Sequence, residues 1–328
     1  MARNSDHSPG GESRNPNLGN PGDFKDVDTI ILDLDDTIVA GTPALLAYVD
    51  TIYRGLARMS RLPLSDVAEG FKDIRAEEIY AFASAFNDHG PLKEKFPHRD
   101  LNAEFGVIRE QAEQAMIAVL EPDPDFVQAI KQWREQGYRL IMMTEGPGSA
   151  TAVKLNAIGL ADDMDELAVV SETTPTGIDD LEAEYPSTIW PRVKNLPAGF
   201  KAKPEVIAET LKDWGVDPNR SVMIGNRVDR DLAPMQSLGA RTILVTQFDR
   251  PNEDALKQRF MDLIFAGGER PPGSGGAVSE DKGGITPDAE LPHAGRLTEL
   301  LPGPPGYQPG KEPGQAPDGP DVQSRRRP

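Results

Sequence analysis

The stretch Asp28-Thr29-Ile30-Ile31-Leu32-Asp33-Leu34-Asp35-Asp36-Thr37 decides the fold. Its first part, DTIILDL (28–34), is a short apolar run with adjacent β-branched residues, as expected of a strand buried on both faces. Its end is acidic. Alternation along a strand can direct Asp33 and Asp35 to the same side. Two neighbouring carboxylates suit either a divalent cation or a nucleophile with a proton-transfer partner.

Four further runs read as strands of the same kind: YRLIMMT (138–144), LAVVSE (167–172), SVMIGN (221–226) and RTILVT (241–246). Helical patterns lie near them at 124–136, 148–158, 204–214 and 229–238. This alternation predicts an α/β chain with a parallel sheet flanked by helices. Ligands of open α/β sheets bind outside the carboxyl ends of the strands, so the residues leaving each strand are the candidates for chemistry. The second strand ends in Thr144, followed by Glu145-Gly146-Pro147-Gly148 and a helix, a turn whose backbone N–H groups can grip an anion. Lys203 stands just before Pro204 and offers a positive charge. The 221–226 strand leads into Asn226-Arg227-Val228-Asp229-Arg230-Asp231, which supplies more oxygen donors. A hard-cation site beside a basic, hydroxyl-lined anion site is the arrangement that phosphoryl transfer requires.

The interval 42–119 reads differently. Leu45, Val49, Ile52, Leu56 and Met59 recur at spacings of three and four, an amphipathic helix. Two more helical stretches follow near 64–86 and 101–120, separated by a Pro- and Gly-containing loop that carries His89 and His98. The expectation is an inserted helical block packed over the edge of the sheet.

The chain resembles the haloacid dehalogenase (HAD) superfamily through four ordered motifs: ILDLDDT (31–37), MMT (142–144), Lys203-Pro204 and IGNRVDRD (224–231). The resemblance covers about 28–302. It implies a Rossmann-like (Rossmannoid) parallel-sheet core with an inserted all-helical cap. The expected division is a disordered leader at 1–26, core at 27–41 and 120–302, cap at 42–119, and a disordered Pro/Gly-rich tail at 303–328. It further implies that Asp33 is a nucleophile forming an aspartyl-phosphate and that Asp35 protonates the leaving oxygen and then activates water. Thr144 and Lys203 would hold the phosphoryl oxygens, with Lys201 a rival for the lysine's part. A magnesium ion (Mg²⁺) would be held by Asp33, the backbone carbonyl of Asp35, Asn226 and Asp231. Asn226 departs from the aspartate many relatives carry, which removes one negative charge from the metal shell; Asp229 or a water would have to compensate. Residues 173–200 look like an extra excursion at the rim.

The resemblance thus implies a HAD-type phosphoric monoester hydrolase acting on a small phosphorylated metabolite. Two alternatives are a catalytically weak regulatory or scaffolding protein on the same fold and a 2-haloacid dehalogenase. The latter has no need of the acid at Asp35. A P-type ATPase is excluded by the missing DKTGT sequence and membrane span.

Composition narrows the setting. The chain has 328 residues, enough for one large or two ordinary domains, and a formal net charge of −18. Such a charge argues against general nucleic-acid or anionic-membrane binding, which needs a basic footprint. Cysteine is absent, so disulfides, thiolate zinc sites and a cysteine nucleophile are excluded. Four histidines leave little for a histidine cluster. The polar start lacks the apolar region of a secretory signal, and no apolar run reaches the roughly 18 residues of a membrane span. A cytoplasmic setting is expected.

Overall fold

The computed structural model describes residues 17–70, 98, 101–170, 192–248 and 285–307. Seven parallel strands form one sheet: β1 (Thr29–Leu32), β2 (Arg139–Pro147), β3 (Glu166–Val170), β4 (Val193–Leu196), β5 (Ser221–Gly225), β6 (Arg241–Val245) and β7 (Ala289–Leu291). Their order is β4-β3-β2-β1-β5-β6-β7, so the chain winds one way from β1 through β4 and the other way from β5. The strand order therefore switches at β1, where Thr29 pairs with Arg139 on one side and Ser221 on the other. A crevice outside the carboxyl end of β1 follows from that switch.

Alternation in β1 gives the sheet two filled faces. Ile30 and Leu32 pack with Phe126, Ile130, Trp133 and Leu155 on one face, while Ile31 packs with Ile207, Leu211 and Met235 on the other. Each such side chain contributes about 1.5–3 kcal/mol when fully buried. Helix α4 (Pro124–Gln136) shows why these segments are helical. Asp123 caps it by accepting from the Phe126 N–H at 2.8 Å, Pro124 takes the first turn, and Gly137 ends it at φ 86°.

Among the described residues the other α-helices are α1 (Gly41–Ser60), α2 (Leu64–Gly70), α3 (Leu101–Ala118), α5 (Gly148–Ala157), α6 (Pro204–Asp213), α7 (Ala233–Ser237) and α8 (Leu297–Leu300). The helix expected at 229–238 is divided, a single π turn at Val228–Leu232 followed by α7. Helices α1 and α3 pack together closely at Gly55, where a β-carbon would overlap Ile108. The buried stripe of α1 runs through Ala44, Tyr48, Ile52 and Leu56, with Leu45 and Met59 only half-buried. Helix α3 also touches α5, the helix after β2. The helical reading of 71–86 and the loop with His89 lie outside the described residues; His98 is exposed.

Three segments differ from the sequence expectation. Residues 17–26 pack against the body: Phe24 is buried, Asn17 donates to the Asp288 carbonyl, and the Glu290 N–H donates to the Asn17 carbonyl. Strand β7, unmarked in the sequence, extends the sheet at that end, while α8 falls in the expected core and buries Leu297 and Leu300. Strand β4 forms the other edge within the expected excursion, of which 171–191 lies outside the described residues. It carries Lys194, paired with Asp213 at 2.5 Å, a charge of the kind that blunts an open edge.

Candidate active site

Asp33 leaves β1 with its backbone N–H still bonded to the Ile224 carbonyl of β5, at 3.0 Å. Its side chain is buried. The Thr37 hydroxyl donates to Oδ2 at 2.7 Å and the Lys201 ammonium to Oδ1 at 2.5 Å. Burial pushes this carboxyl up to about 7; Lys201 opposes that shift and Asp231 adds to it. Lys201 also meets Asp231 Oδ1 at 2.5 Å, so one ammonium lies between two buried carboxylates. Desolvation works against its charge, but the attraction of Asp231 and Asp33 prevails and holds it protonated well above the usual lysine range.

Asp231 is set by two features of the turn after β5. Its Oδ2 accepts the Arg227 N–H at 2.9 Å, and Gly225 leaves the space in which that oxygen sits. A β-carbon at Gly225 would come within 2.5 Å of Asp231 Oδ2. Asn226 turns toward the same place, its Oδ1 3.5 Å from the Thr37 hydroxyl that serves Asp33. Asp229 is held by Arg227 at 3.0 and 3.1 Å; that contact lowers its pKa and commits it to the surface turn.

The other flank of β1 differs. Asp35 is about one-third exposed, and both its oxygens accept from Lys154 Nζ, at 2.6 and 2.8 Å. Lys154 projects from α5 and is buried. Thr144 is buried at the end of regular pairing in β2, its hydroxyl accepting the Gly146 N–H at 3.1 Å. Nearby, the buried Thr151 hydroxyl has no hydrogen-bond partner among the described residues. Glu145 pairs with Arg230 at 2.6 Å and thereby joins the exits of β2 and β5, on either side of β1.

The structure thus brings Asp33, Asp231 and Asn226 together, with Asp35 and Thr144 at the neighbouring flank. It does not bring Lys203 there. Lys203 is exposed and starts α6, whereas Lys201, the rival for the lysine's part, is buried on Asp33 and Asp231. Residues that the sequence reading left unassigned are Lys154, Thr151 and Asp36. Asp36 adopts φ 58° and caps the start of α1 by accepting from Thr42 Oγ1 at 2.8 Å and the Thr42 N–H at 3.1 Å. The Thr42 spacing was a possible signal for the cap; nothing in the sequence marked Lys154 as a partner of Asp35.

Among the described residues no group of three His, Asp or Glu side chains forms a ready metal cage. The oxygen set is nevertheless of the right kind for a hard cation: two carboxylates share one ammonium, leaving excess negative charge, and an amide oxygen faces the same hydroxyl. Chemically, the site offers a buried carboxylate as nucleophile, a second carboxylate for proton transfer, and cations and hydroxyls for an anion.

Comparison with known proteins gives three findings. A family model described as "Hydrolase: haloacid dehalogenase-like hydrolase" matches residues 27–239. A glyceraldehyde 3-phosphate phosphatase from Methanopyrus kandleri is 26% identical over 128 residues, covering 39% of this chain and 45% of the relative. The match therefore spans less than half of that enzyme. Among solved structures, a 2-haloacid dehalogenase from Pseudomonas syringae pv. Tomato DC3000 matches with TM-score 0.50 and 18% identity over 84% of this chain and 98% of its own. A HAD phosphatase from Thermococcus onnurineus matches with TM-score 0.46 and 18% identity over 85% and 99%. The dehalogenase structure shares the fold, and at that identity the likeness shows the fold alone. No helix among the described residues is long and apolar enough to cross a membrane.

Proposed function

The chain belongs to the haloacid dehalogenase-like hydrolases, and from that premise we propose that it is a Mg²⁺-dependent phosphatase acting on a small phosphate ester. The observation that carries this reading is Asp33, a buried carboxylate braced by Thr37 and Lys201, with a second carboxylate two residues on. In the reaction, an Asp33 oxygen attacks phosphorus while the bond to the leaving oxygen breaks. Asp35 gives that oxygen its proton. The ester product departs as an alcohol, leaving an aspartyl-phosphate on Asp33. Asp35, now a carboxylate, takes a proton from the water that attacks phosphorus, and inorganic phosphate and free Asp33 are regenerated.

Lys201 offsets the charge that develops on the phosphoryl oxygens, and the Thr144 hydroxyl with the turn after it holds them. Mg²⁺ would be held by Asp33, Asp231, Asn226 and the Asp35 carbonyl, and would supply charge neutralisation of the phosphoryl group. Asp35 favours phosphate esters over 2-haloacids, because dehalogenation leaves a halide that takes no proton. The phosphatase relative supports a compact sugar-like phosphate as substrate. The excess acidity favours a small-molecule substrate over nucleic acid, which calls for a basic footprint.

The test is phosphate release from p-nitrophenyl phosphate, glyceraldehyde 3-phosphate and a panel of sugar and carboxylate phosphates, with Mg²⁺ and with EDTA. Asp33→Asn should lower turnover by on the order of 10³ or more, as loss of a nucleophile does. Unchanged release in that variant sinks the reading. Silence of the wild type across the panel favours a binding protein on the same fold.

A further inference from the structure

We propose that Lys154 is a positioning residue for Asp35, fixing its carboxylate for proton transfer at the leaving-group oxygen. The proposal rests on the phosphatase reading above. A lysine buried to 2% exposure of its side chain is an unusual resident of a helix, since the cost of removing its charge from water must be met by a partner. The partner here is a single carboxylate, engaged through both oxygens at 2.6 and 2.8 Å. One ammonium nitrogen on both oxygens fixes the depth and direction of the carboxylate.

The opposite side of Asp35 is shaped as closely. A β-carbon at Gly41 would overlap Asp35 Oδ1, so the first residue of α1 must be glycine for the carboxylate to lie where it does. A β-carbon at Gly146 would lie 3.8 Å from Asp35 Oδ2 and 3.4 Å from the Thr144 hydroxyl, which puts the clamped carboxylate beside the hydroxyl expected to hold phosphate. Three separate elements therefore converge on one carboxylate: α5 through Lys154, α1 through Gly41 and the end of β2 through Gly146. A core ion pair serving only stability would gain nothing from leaving one member a third exposed beside the crevice. The contacts from Lys154, Gly41 and Gly146 hold the Asp35 side chain in place during the transfer. The proton passes to the leaving oxygen as its bond to phosphorus breaks, and Lys154 keeps its own.

Lys154→Met keeps the length of the side chain and removes the charge. It strands nothing, because Asp35 has solvent on one side. The full-length protein and the variant are compared on two substrates that differ in leaving-group basicity, glycerol phosphate and p-nitrophenyl phosphate, with thermal unfolding recorded alongside. A leaving group that departs as a stable phenolate needs little help from an acid, whereas an alkoxide needs much. The expected result is a fall in kcat of about 100-fold on glycerol phosphate and less than about tenfold on p-nitrophenyl phosphate, with KM nearly unchanged on both. Equal losses on the two substrates, or a loss confined to KM, overturn the proposal. If Lys154→Met does not fold, Gly41→Ala is read by the same rule, since it displaces Asp35 from the other side. A wild type that releases no phosphate from either substrate overturns the phosphatase reading, and the part given to Lys154 goes with it; an active wild type with equal losses overturns Lys154 alone.

Discussion

The two flanks of the carboxyl end of β1 are built from the same parts in different proportions. On one, Lys201 is shared by Asp33 and Asp231, and Gly225 makes room for the second carboxylate. On the other, Lys154 serves Asp35 alone, and Gly41 makes room for it. The first flank holds one cation between two carboxylates; the second is balanced. That difference separates labour within a few ångströms. On the proposed reading, the excess negative charge would attract a metal ion, whereas a balanced pair beside the hydroxyls of Thr144 and Thr151 would repel an incoming phosphoryl group less.

The sharpest way to break this contrast is Lys201→Met. Removing the shared ammonium leaves two buried carboxylates facing each other, and stranding buried charge costs about 3–5 kcal/mol. The folded protein should lose that much stability at neutral pH, measured by urea unfolding. Because burial already pushes Asp33 upward, acidification that protonates it should recover part of the loss. Lys154→Met should cost far less stability, since its partner can turn to solvent. Equal destabilisation by the two substitutions would show that the flanks do not differ in the way their charges suggest.

How far the sequence announced this site depends on the kind of signal each part needs. Oxygen donors at the exits of β1 and β5 were legible, because strand periodicity and turn chemistry are local: Asp33, Asp35, Asn226 and Asp231 follow those strand ends. Core strands were legible for the same reason. The edges were not. Strand β4 is VKNL, without an apolar run, because an edge strand is only half covered, and β7 has three residues. Residues 17–26 look polar but insert Phe24, and a single buried aromatic is too small a pattern to read from composition. Lys154 was illegible for a deeper reason. Its partner Asp35 lies 119 positions away, and their contact exists only because α5 and the end of β1 meet in three dimensions.

A smaller effect tests the metal side of the contrast. Asn226→Asp adds a carboxylate where the oxygen set now holds an uncharged amide. The concentration of Mg²⁺ that half-saturates activity should fall by roughly tenfold, equivalent to about 1.4 kcal/mol. The same charge added without metal crowds Asp33 and Asp231, so the variant should melt lower than the wild type in EDTA and recover with Mg²⁺. Melting curves with and without the ion distinguish this from a general loss of stability. A variant whose stability and activity ignore Mg²⁺ would remove the cation from this flank.

The smallest expected effect is at Lys203, and its smallness is the point. Lys203 adjoins Pro204 at the start of α6, the position that the motif suggests from sequence, but its side chain is exposed. Lys201 comes two residues earlier, in the 3₁₀ turn Phe200–Ala202 that follows Gly199 at φ 71°. That turn buries Phe200 and Lys201 together, whereas Lys203 already belongs to the helix boundary and faces water. Surface substitutions of this kind stay within about 0.5 kcal/mol. Lys203→Ala should therefore leave stability, kcat and KM close to wild type, while Lys201→Met abolishes turnover. The pair is decisive because both residues are lysines in one short loop, differing only in burial. A collapse of kcat in Lys203→Ala with Lys201→Met still active would move the shared cation to Lys203 and undo the contrast between the flanks.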